Sequence, residues 1–398
     1  MKFKNFKKTG NKIQFNVKDI DVSVMNSIRR VILADIPNVA FDFQPYEFEN
    51  KTVDIIKNTC SLHNEIILQR LSMLPLKFDE NEISNFKSSK YKFRLQKINN
   101  TSKMMNVTTE DIEIYDENDK KYNEKFTRKI FPKNKLSNDF ILITKLKPNL
   151  FDNNKGDVLE INMLATKKTA KDYAGFGYVS QCVYFNVVDN KQAKDELDKR
   201  LEKIEDLSEK DDLEKDFNTL DKYRYFRKNE YDEPNYFEYH IESESRVSPE
   251  FLFFKAIIIL KNKIEKLITN IIDDKIKIEK MKDTNNFYSF EIKNEKHTLG
   301  NLIQSLLYNK FIREEEAKII EYIGYYCPHP LEDNLILKIK FNDKIKETEI
   351  NGILIDNGLV HIQNILDTIN KKWIDISKLD KKLLNNKLIE EVEEYLSL

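Results

Sequence analysis

Asp21-Val-Ser-Val-Met-Asn26-Ser27-Ile-Arg29-Arg30-Val-Ile-Leu-Ala-Asp-Ile-Pro37 is the stretch on which the fold turns. Val24, Ile28, Val31 and Ile32 recur at helical spacing and form one apolar stripe, Asp21 suits the N-cap, and Pro37 ends the helix. Arg29 and Arg30 fall off that stripe, near the exposed side. A strand precedes the helix, and Val39-Ala-Phe-Asp-Phe43 follows it with Val39, Phe41 and Phe43 alternating onto one face. The beginning of the chain reads strand, helix, strand.

Further on, residues 60 to 72 look helical and stop before Pro75, and residues 80 to 160 show short polar strands and Asn/Lys-rich turns. Tyr178 to Val188 is a strand, as is Tyr236 to Glu244. Ser248-Pro249-Glu250 supplies an N-cap, a first-turn proline and an early acid for a helix to about Asn270. Phe251, Phe254, Ile257, Ile258, Ile264 and Leu267 make that helix apolar on most sides, so both faces need cover. A polar connector, Asp273 to Asn286, leads to a smaller strand–helix–strand–helix unit. Its pieces are Tyr288 to Ile292, a helix with Leu299, Leu302, Ile303, Leu306 and Leu307, the strand Leu335 to Phe341, and a stripe of Leu359, Ile362, Leu366, Ile369 and Trp373. Leu379 to Leu396 reads as an added amphipathic helix. Between these units, residues 191 to 216 hold seven basic and eleven acidic side chains, a solvated amphipathic helix or inserted arm whose plainest reading is a charged surface excursion.

The chain has 398 residues, enough for two or three folding units, with 40% hydrophobic and 33% charged side chains. Lys+Arg of 66 against Asp+Glu of 67 leaves a net charge of -1, far from the basic balance that whole-surface attraction to nucleic acid or anionic lipid requires. Nucleic-acid contact is expected only indirectly, through partners. Cys60, Cys182 and Cys327 stand far apart, suggesting neither a disulfide framework nor a CxxC metal site, and a reducing compartment fits. No apolar segment follows the basic Met1-Lys-Phe-Lys start, and the greasiest run, Phe251 to Leu260, is half the roughly 20 residues of a membrane span. No signal peptide and no membrane are expected.

The usual catalytic constellations are missing. There is no GxxxxGK[ST], HExxH or GxSxG, and Gly175-Phe-Gly177 is too short for a dinucleotide fingerprint. Asp19-Ile-Asp21 suits a turn and helix cap better than a metal site. His63 beside Asn64-Glu65 fits part of an acid/base pair and equally a helix-surface hydrogen bond. His329, between Pro328 and Pro330, suits a rigid loop. No catalytic residue, metal or cofactor is expected.

The opening stretch resembles the first signature helix of the alpha-type assembly subunits of multisubunit DNA-directed RNA polymerases: bacterial alpha, archaeal D and the third subunit of eukaryotic polymerase II. Asn58-Thr-Cys-Ser-Leu-His63-Asn-Glu65-Ile-Ile-Leu-Gln-Arg70-Leu-Ser-Met-Leu-Pro75 is similar to their second block. Ala165-Thr-Lys-Lys-Thr-Ala-Lys-Asp-Tyr-Ala174-Gly-Phe and Ser248-Pro-Glu-Phe-Leu-Phe-Phe-Lys-Ala256 resemble later segments in the same order. His297-Thr298-Leu299-Gly300-Asn301-Leu302 and Tyr326-Cys-Pro328-His329-Pro330-Leu331-Glu332 look like marks of the smaller partner, archaeal L or the eleventh subunit of polymerase II.

The resemblance implies one chain fusing two alpha-like units of an α+β class, each an antiparallel sheet with two helices, paired through those helices. The N-terminal dimerisation domain would comprise 1–45 and 236–272, interrupted by a mostly β insert at 46–190 and the excursion at 191–235. A tether at 273–286 would lead to the second dimerisation domain at 287–373 and an extension at 374–398. Burying roughly 2,000 Å² would make the contact obligate, and the tether would hold the local concentration near the mM range. Exchange of halves between two chains is a physical alternative.

What the resemblance further implies is a non-catalytic assembly platform whose partners are the largest and second-largest polymerase subunits and small zinc-binding accessory subunits. Arg29 and Arg30 match a double-arginine position that faces the second-largest subunit, with Asn26 beside them. His63, Glu65, Arg70 and Pro75 are expected in a docking loop, where a purely structural role is the alternative. Gly300, His329 and Pro330 are expected at partner interfaces, and His297, Thr298 and Asn301 as caps of the interface helix. The middle-domain cysteines that hold zinc or iron–sulfur clusters in many relatives are missing. Fusion of these halves resembles large cytoplasmic DNA viruses, which implies the cytoplasm, a viral factory and the virion. Two other readings stand beside it: a free-standing regulator that mimics the pair and sequesters polymerase subunits, and an enzyme with its site in 80–160.

Overall fold

The computed structural model describes residues 1–42, 52–149, 156–281, 284–313 and 319–379. In chain order the elements begin β1 (Lys2–Thr9), β2 (Lys12–Lys18), α1 (Val22–Ala34), β3 (Asn38–Phe41), β4 (Val53–Asn58), α2 (Asn64–Ser72) and α3 (Glu80–Ser84). They continue as β5 (Lys92–Ile98), β6 (Met105–Thr108), β7 (Ile112–Tyr115), α4 (Glu124–Ile130), β8 (Leu142–Leu146), β9 (Val158–Lys168) and β10 (Val179–Asn186). Next come α5 (Asn190–Leu201), α6 (Leu207–Thr219), β11 (Tyr236–Ser243), α7 (Pro249–Ile272), β12 (Lys277–Lys280) and β13 (Phe287–Lys293). The described chain ends with α8 (His297–Tyr308), β14 (Ile320–Tyr326), β15 (Asn334–Phe341), α9 (Ile350–Ile353) and α10 (Val360–Ser377).

Two compact units emerge, Met1–Val31 with Gln181–Glu242 and the described residues from Pro249 onward, and the described residues of Ile32–Ser180 with Ser243–Ser248. The first holds two four-stranded sheets, ordered β1-β2-β11-β10 and β12-β13-β15-β14. β1 and β2 form a hairpin, turned at Gly10 with its positive φ of 60°, where a single strand was expected. Alternation does the rest. Ile13, Phe15, Val17, Phe237, Tyr239 and Ile241 of β2 and β11 are fully buried on one face. Phe290, Ile292, Leu335, Leu337 and Ile339 repeat the pattern in the second sheet.

α7 explains why its sequence is apolar nearly all round, because every residue from Pro249 to Leu260 is buried, Lys255 included. Phe253 meets the first sheet at Phe15, with centroids 5.3 Å apart, and meets Trp373 of α10 at 4.2 Å. One face lies on its own sheet and the other on a helix of the second half, as the excess of apolar surface requires.

The stretch expected as a free tether differs. Its residues 277–280 form β12, the edge strand beside β13, and Ile278 opposes Phe290. After Ile272 a short turn remains before Ile276, and Asp274 adopts a positive φ of 51° there. Residues 277–280 can join the sheet because one apolar residue among charged neighbours suffices for a short edge strand. The charged excursion is a pair of helices, α5 and α6, in which Arg200 bonds Glu196, Asp221 and Tyr225. Phe43 of the expected strand and 380–396 of the expected terminal helix lie outside the described residues.

The second unit, built from the polar 80–160 region and its flanks, is a five-stranded sheet in which β3 and β4 pair with successive parts of β9 and β5 and β7 follow on its other side. Phe41, Phe93, Leu95, Ile114 and Ile161 are fully buried in it. The short strands looked weak in sequence because their solvent faces are densely charged.

Candidate functional site: a helix seam and an arginine patch

The seam between α1 and α8 begins with Asp21. One carboxylate oxygen caps α1, accepting from the Ser23 N–H at 2.7 Å. The other accepts from Ser305 Oγ at 2.9 Å and Asn309 Nδ2 at 2.8 Å, both at the far end of α8. At the opposite end of the seam, Ser27 Oγ donates to the Thr298 carbonyl at 3.1 Å and Arg30 Nε donates to Thr298 Oγ1 at 2.7 Å. The two helices therefore run antiparallel, clamped at both ends.

α7 and α10 also run antiparallel. Trp373 Nε1 donates to the Glu250 carbonyl at 3.0 Å, and about three turns further along α7 Lys261 pairs with Asp367. The indole is fully buried among Phe3, Phe6, Phe15 and Phe253. A third clamp links the segment after the charged helices to the second half: Arg313 grips Glu233 with both Nη groups at 2.7 Å. Tyr231 and Tyr308 face the same guanidinium at 4.3 and 5.3 Å. The Arg313 fork holds the Glu233 carboxyl below the usual carboxylate range.

Asn26, Arg29, Arg30 and Thr298 are brought together. Asn26 Oδ1 accepts from Arg29 Nε at 3.2 Å and Nη2 at 3.0 Å. Arg29 is half-buried and Arg30 exposed. Among the described residues neither has a carboxylate within ion-pair distance. Beneath Arg29 lies Cys182, 2% exposed, whose thiol is pushed up to about 12 by burial.

The capping role expected for His297, Thr298 and Asn301 is not what the structure shows. α8 starts at His297, its N-cap position falls on Lys296, and no side chain caps it. Thr298 turns its hydroxyl to Arg30 instead, because the seam offers a charged donor. His297 Nδ1 lies 3.3 Å from the Tyr325 hydroxyl and 3.9 Å from Cys327 Sγ, and Asn301 is half-buried. Gly300 has a packing reason, since an added Cβ would sit 2.6 Å from Tyr325 and 2.7 Å from Leu335. That contact is between α8 and its own sheet. His329 and Pro330 are exposed, and their turn is tied to the start of α8 by Lys296 Nζ on the Pro330 carbonyl at 3.1 Å.

In the second unit His63, Glu65, Arg70 and Pro75 are all exposed on or beside α2. His63 occupies the N-cap position without a side-chain bond, and Arg70 Nη1 donates to the Ile143 carbonyl at 2.8 Å. Gly175 packs so tightly that a Cβ would lie 2.4 Å from the Ser72 carbonyl. Ile56 and Met73, 54% and 57% exposed, leave an apolar surface near α2. Among the described residues no group of three or more His, Cys, Asp or Glu side chains is placed to hold a metal, and no helix is long and apolar enough to cross a membrane.

Sequence reasoning missed Ser27, Ser305, Asn309, Glu233 and Arg313. Ser305 and Asn309, four residues apart at the end of α8, were the available signal.

Fold and seam define a class, two α+β halves in one polypeptide joined helix to helix. Residues 14–264 match the family described as the RNA polymerase Rpb3/Rpb11 dimerisation domain, and residues 288–372 match a second family of the same description. The chain belongs to this family and carries both alpha-like units in one polypeptide. It is 32% identical over 90 residues to the DNA-directed RNA polymerase subunit Rpo11 of Metallosphaera sedula, covering 23% of this chain and 92% of that subunit. Against subunit Rpo3 of Pyrococcus horikoshii it is 36% identical over 77 residues, 19% of this chain and only 26% of that subunit's length. Against RPAC1, a subunit of RNA polymerases I and III of Saccharomyces cerevisiae, it is 25% identical over 299 residues, 64% of this chain and 82% of that one.

Proposed function

We propose that the chain is the assembly platform of a DNA-directed RNA polymerase, a ready-paired alpha-like heterodimer that recruits the two large catalytic subunits and the small zinc-binding accessory subunits. It supplies no catalytic group itself and meets nucleic acid only through the complex. The observation that carries this reading is the arginine patch. Arg29 and Arg30 stand side by side on α1 with no carboxylate of their own among the described residues, on a chain whose net charge is -1. A guanidinium pair left uncompensated on a neutral protein suits carboxylates or carbonyls of a partner, which planar forks hold from two sides. The exposed apolar side chains near α2 suit a docking contact of their own. Fusion of the halves supports a cytoplasmic, viral setting.

The test is capture of the second-largest polymerase subunit by the full chain. Arg29→Ala combined with Arg30→Ala leaves the fold intact and weakens capture at least about tenfold, roughly 1.4 kcal/mol. Unchanged capture removes the patch from the interface. Recovery of the chain at one copy per active polymerase supports a platform, whereas recovery only in inactive subcomplexes assigns it to a sequestering regulator.

A further inference from the structure

We propose that Thr298 is a positioning residue for Arg30, so that the capture patch is composite: the first half supplies the arginines and the second half fixes how one of them is presented. The proposal rests on the reading of the Arg29–Arg30 patch given above. An exposed arginine ordinarily samples many rotamers, and a partner that needs one of them must order it on binding. Here Arg30 Nε is already spent on Thr298 Oγ1 at 2.7 Å, which orients the guanidinium and leaves its Nη groups for an incoming carboxylate.

Thr298 is itself well held. Its carbonyl accepts from Ser27 Oγ at 3.1 Å, one helical turn before Arg30 on the same face of α1, and its side chain is β-branched and stiff within a helix. The local needs of α8 do not explain the contact. The helix begins with no side-chain cap, so a hydroxyl in its first turn had backbone donors to serve and faces Arg30 instead. A cation at a helix N-terminus is disfavoured by the helix dipole, so the arrangement spends local stability. It also adds the positive end of α8 to the guanidinium, raising the pull on an anion at that spot. Arginine and threonine are 268 residues apart, which makes the oriented patch a reporter of correct pairing between the halves.

The experiment is capture of the second-largest polymerase subunit by the full chain, comparing wild type, Thr298→Val, Thr298→Ser, Arg30→Ala and the Arg30→Ala/Thr298→Val double variant. Valine keeps the shape and removes the acceptor. Thr298→Val weakens capture about fivefold, Thr298→Ser restores it to within about twofold, and Thr298→Val adds nothing once Arg30 is alanine. Emission of Trp373, which packs on Phe253 of α7, checks throughout that the helices α7 and α10 stay paired. Capture by Thr298→Val equal to wild type overturns the positioning role. So does a loss that persists undiminished in the Arg30→Ala background, or one that serine does not restore, since both describe a general loosening of α8. If Arg30→Ala alone leaves capture unchanged, the patch reading fails first and the positioning role falls with it.

Discussion

Phe253→Ala tests the contact on which the pairing of the two halves depends. Phe253 is fully buried, with its ring 5.3 Å from Phe15 and 5.8 Å from Tyr239 on the first sheet and 4.2 Å from Trp373 on the second half. A buried phenylalanine removes on the order of 150 Å² from water, which at about 25 cal/mol per Å² is near 4 kcal/mol. Measured truncations of this kind cost about 3–5 kcal/mol, because the cavity collapses only in part. The chain's one tryptophan is Trp373 itself, so its emission reads the seam directly. In urea, with a slope near 3 kcal/mol per M, the emission transition moves down by about 1 M. Leu142→Ala serves as control, since that side chain is 42% exposed and its loss stays within about 0.5 kcal/mol. A wild-type emission already typical of solvated indole, or a Phe253→Ala shift no larger than the control's, would refute the claim that this seam joins the halves.

Two glycines give opposite signs. Gly300→Ala gains about 1 kcal/mol of helix propensity but drives a methyl to 2.6 Å from Tyr325, and overpacking of about 1–3 kcal/mol lowers the thermal midpoint. Gly352→Ala, with nothing within 4 Å of the new methyl, raises the midpoint or leaves it unchanged. The Arg313–Glu233 pair depends on pH with a defined sign. Because the folded carboxyl titrates below its unfolded value, its contribution is present above pH about 4.3 and lost as pH falls through the lower folded value. Glu233→Gln therefore lowers stability in urea unfolding at pH 7, by at most about 1 kcal/mol given the 44% exposure of the glutamate, and the difference from wild type shrinks as pH falls through the folded value. Of the three thiols, Cys60 and Cys327 react with a disulfide reagent in the native protein, while Cys182 waits for unfolding. Rapid native labelling of all three contradicts the packing beneath Arg29.

Elements that carry their own periodicity were readable in advance. The stripe Val24, Ile28 and Val31 became the buried face of α1, and Asp21 became its cap. The alternation in Leu335 to Phe341 became β15, and the Ser-Pro-Glu start became α7. α7 was legible even in its partnership, since an apolar run whose twelve positions from Pro249 to Leu260 are all buried exceeds what one sheet covers and requires a second neighbour. β12 was hidden because four residues with a single apolar side chain have no period. Thr298 was misread as a cap because threonine near a helix start usually is one.

The amino-acid sequence by itself determined the helices and strands that carry a period, and that two greasy surfaces lie at opposite ends of the chain, because those signals repeat every two or 3.6 residues within one segment. Only the tertiary structure decided how the surfaces engage. Asp21 with Ser305, Arg30 with Thr298 and Glu233 with Arg313 are pairs separated by 284, 268 and 80 residues. A single polar side chain leaves no periodic trace of a partner so distant. Its choice among several acceptors and donors is made by geometry that exists only once both halves have folded.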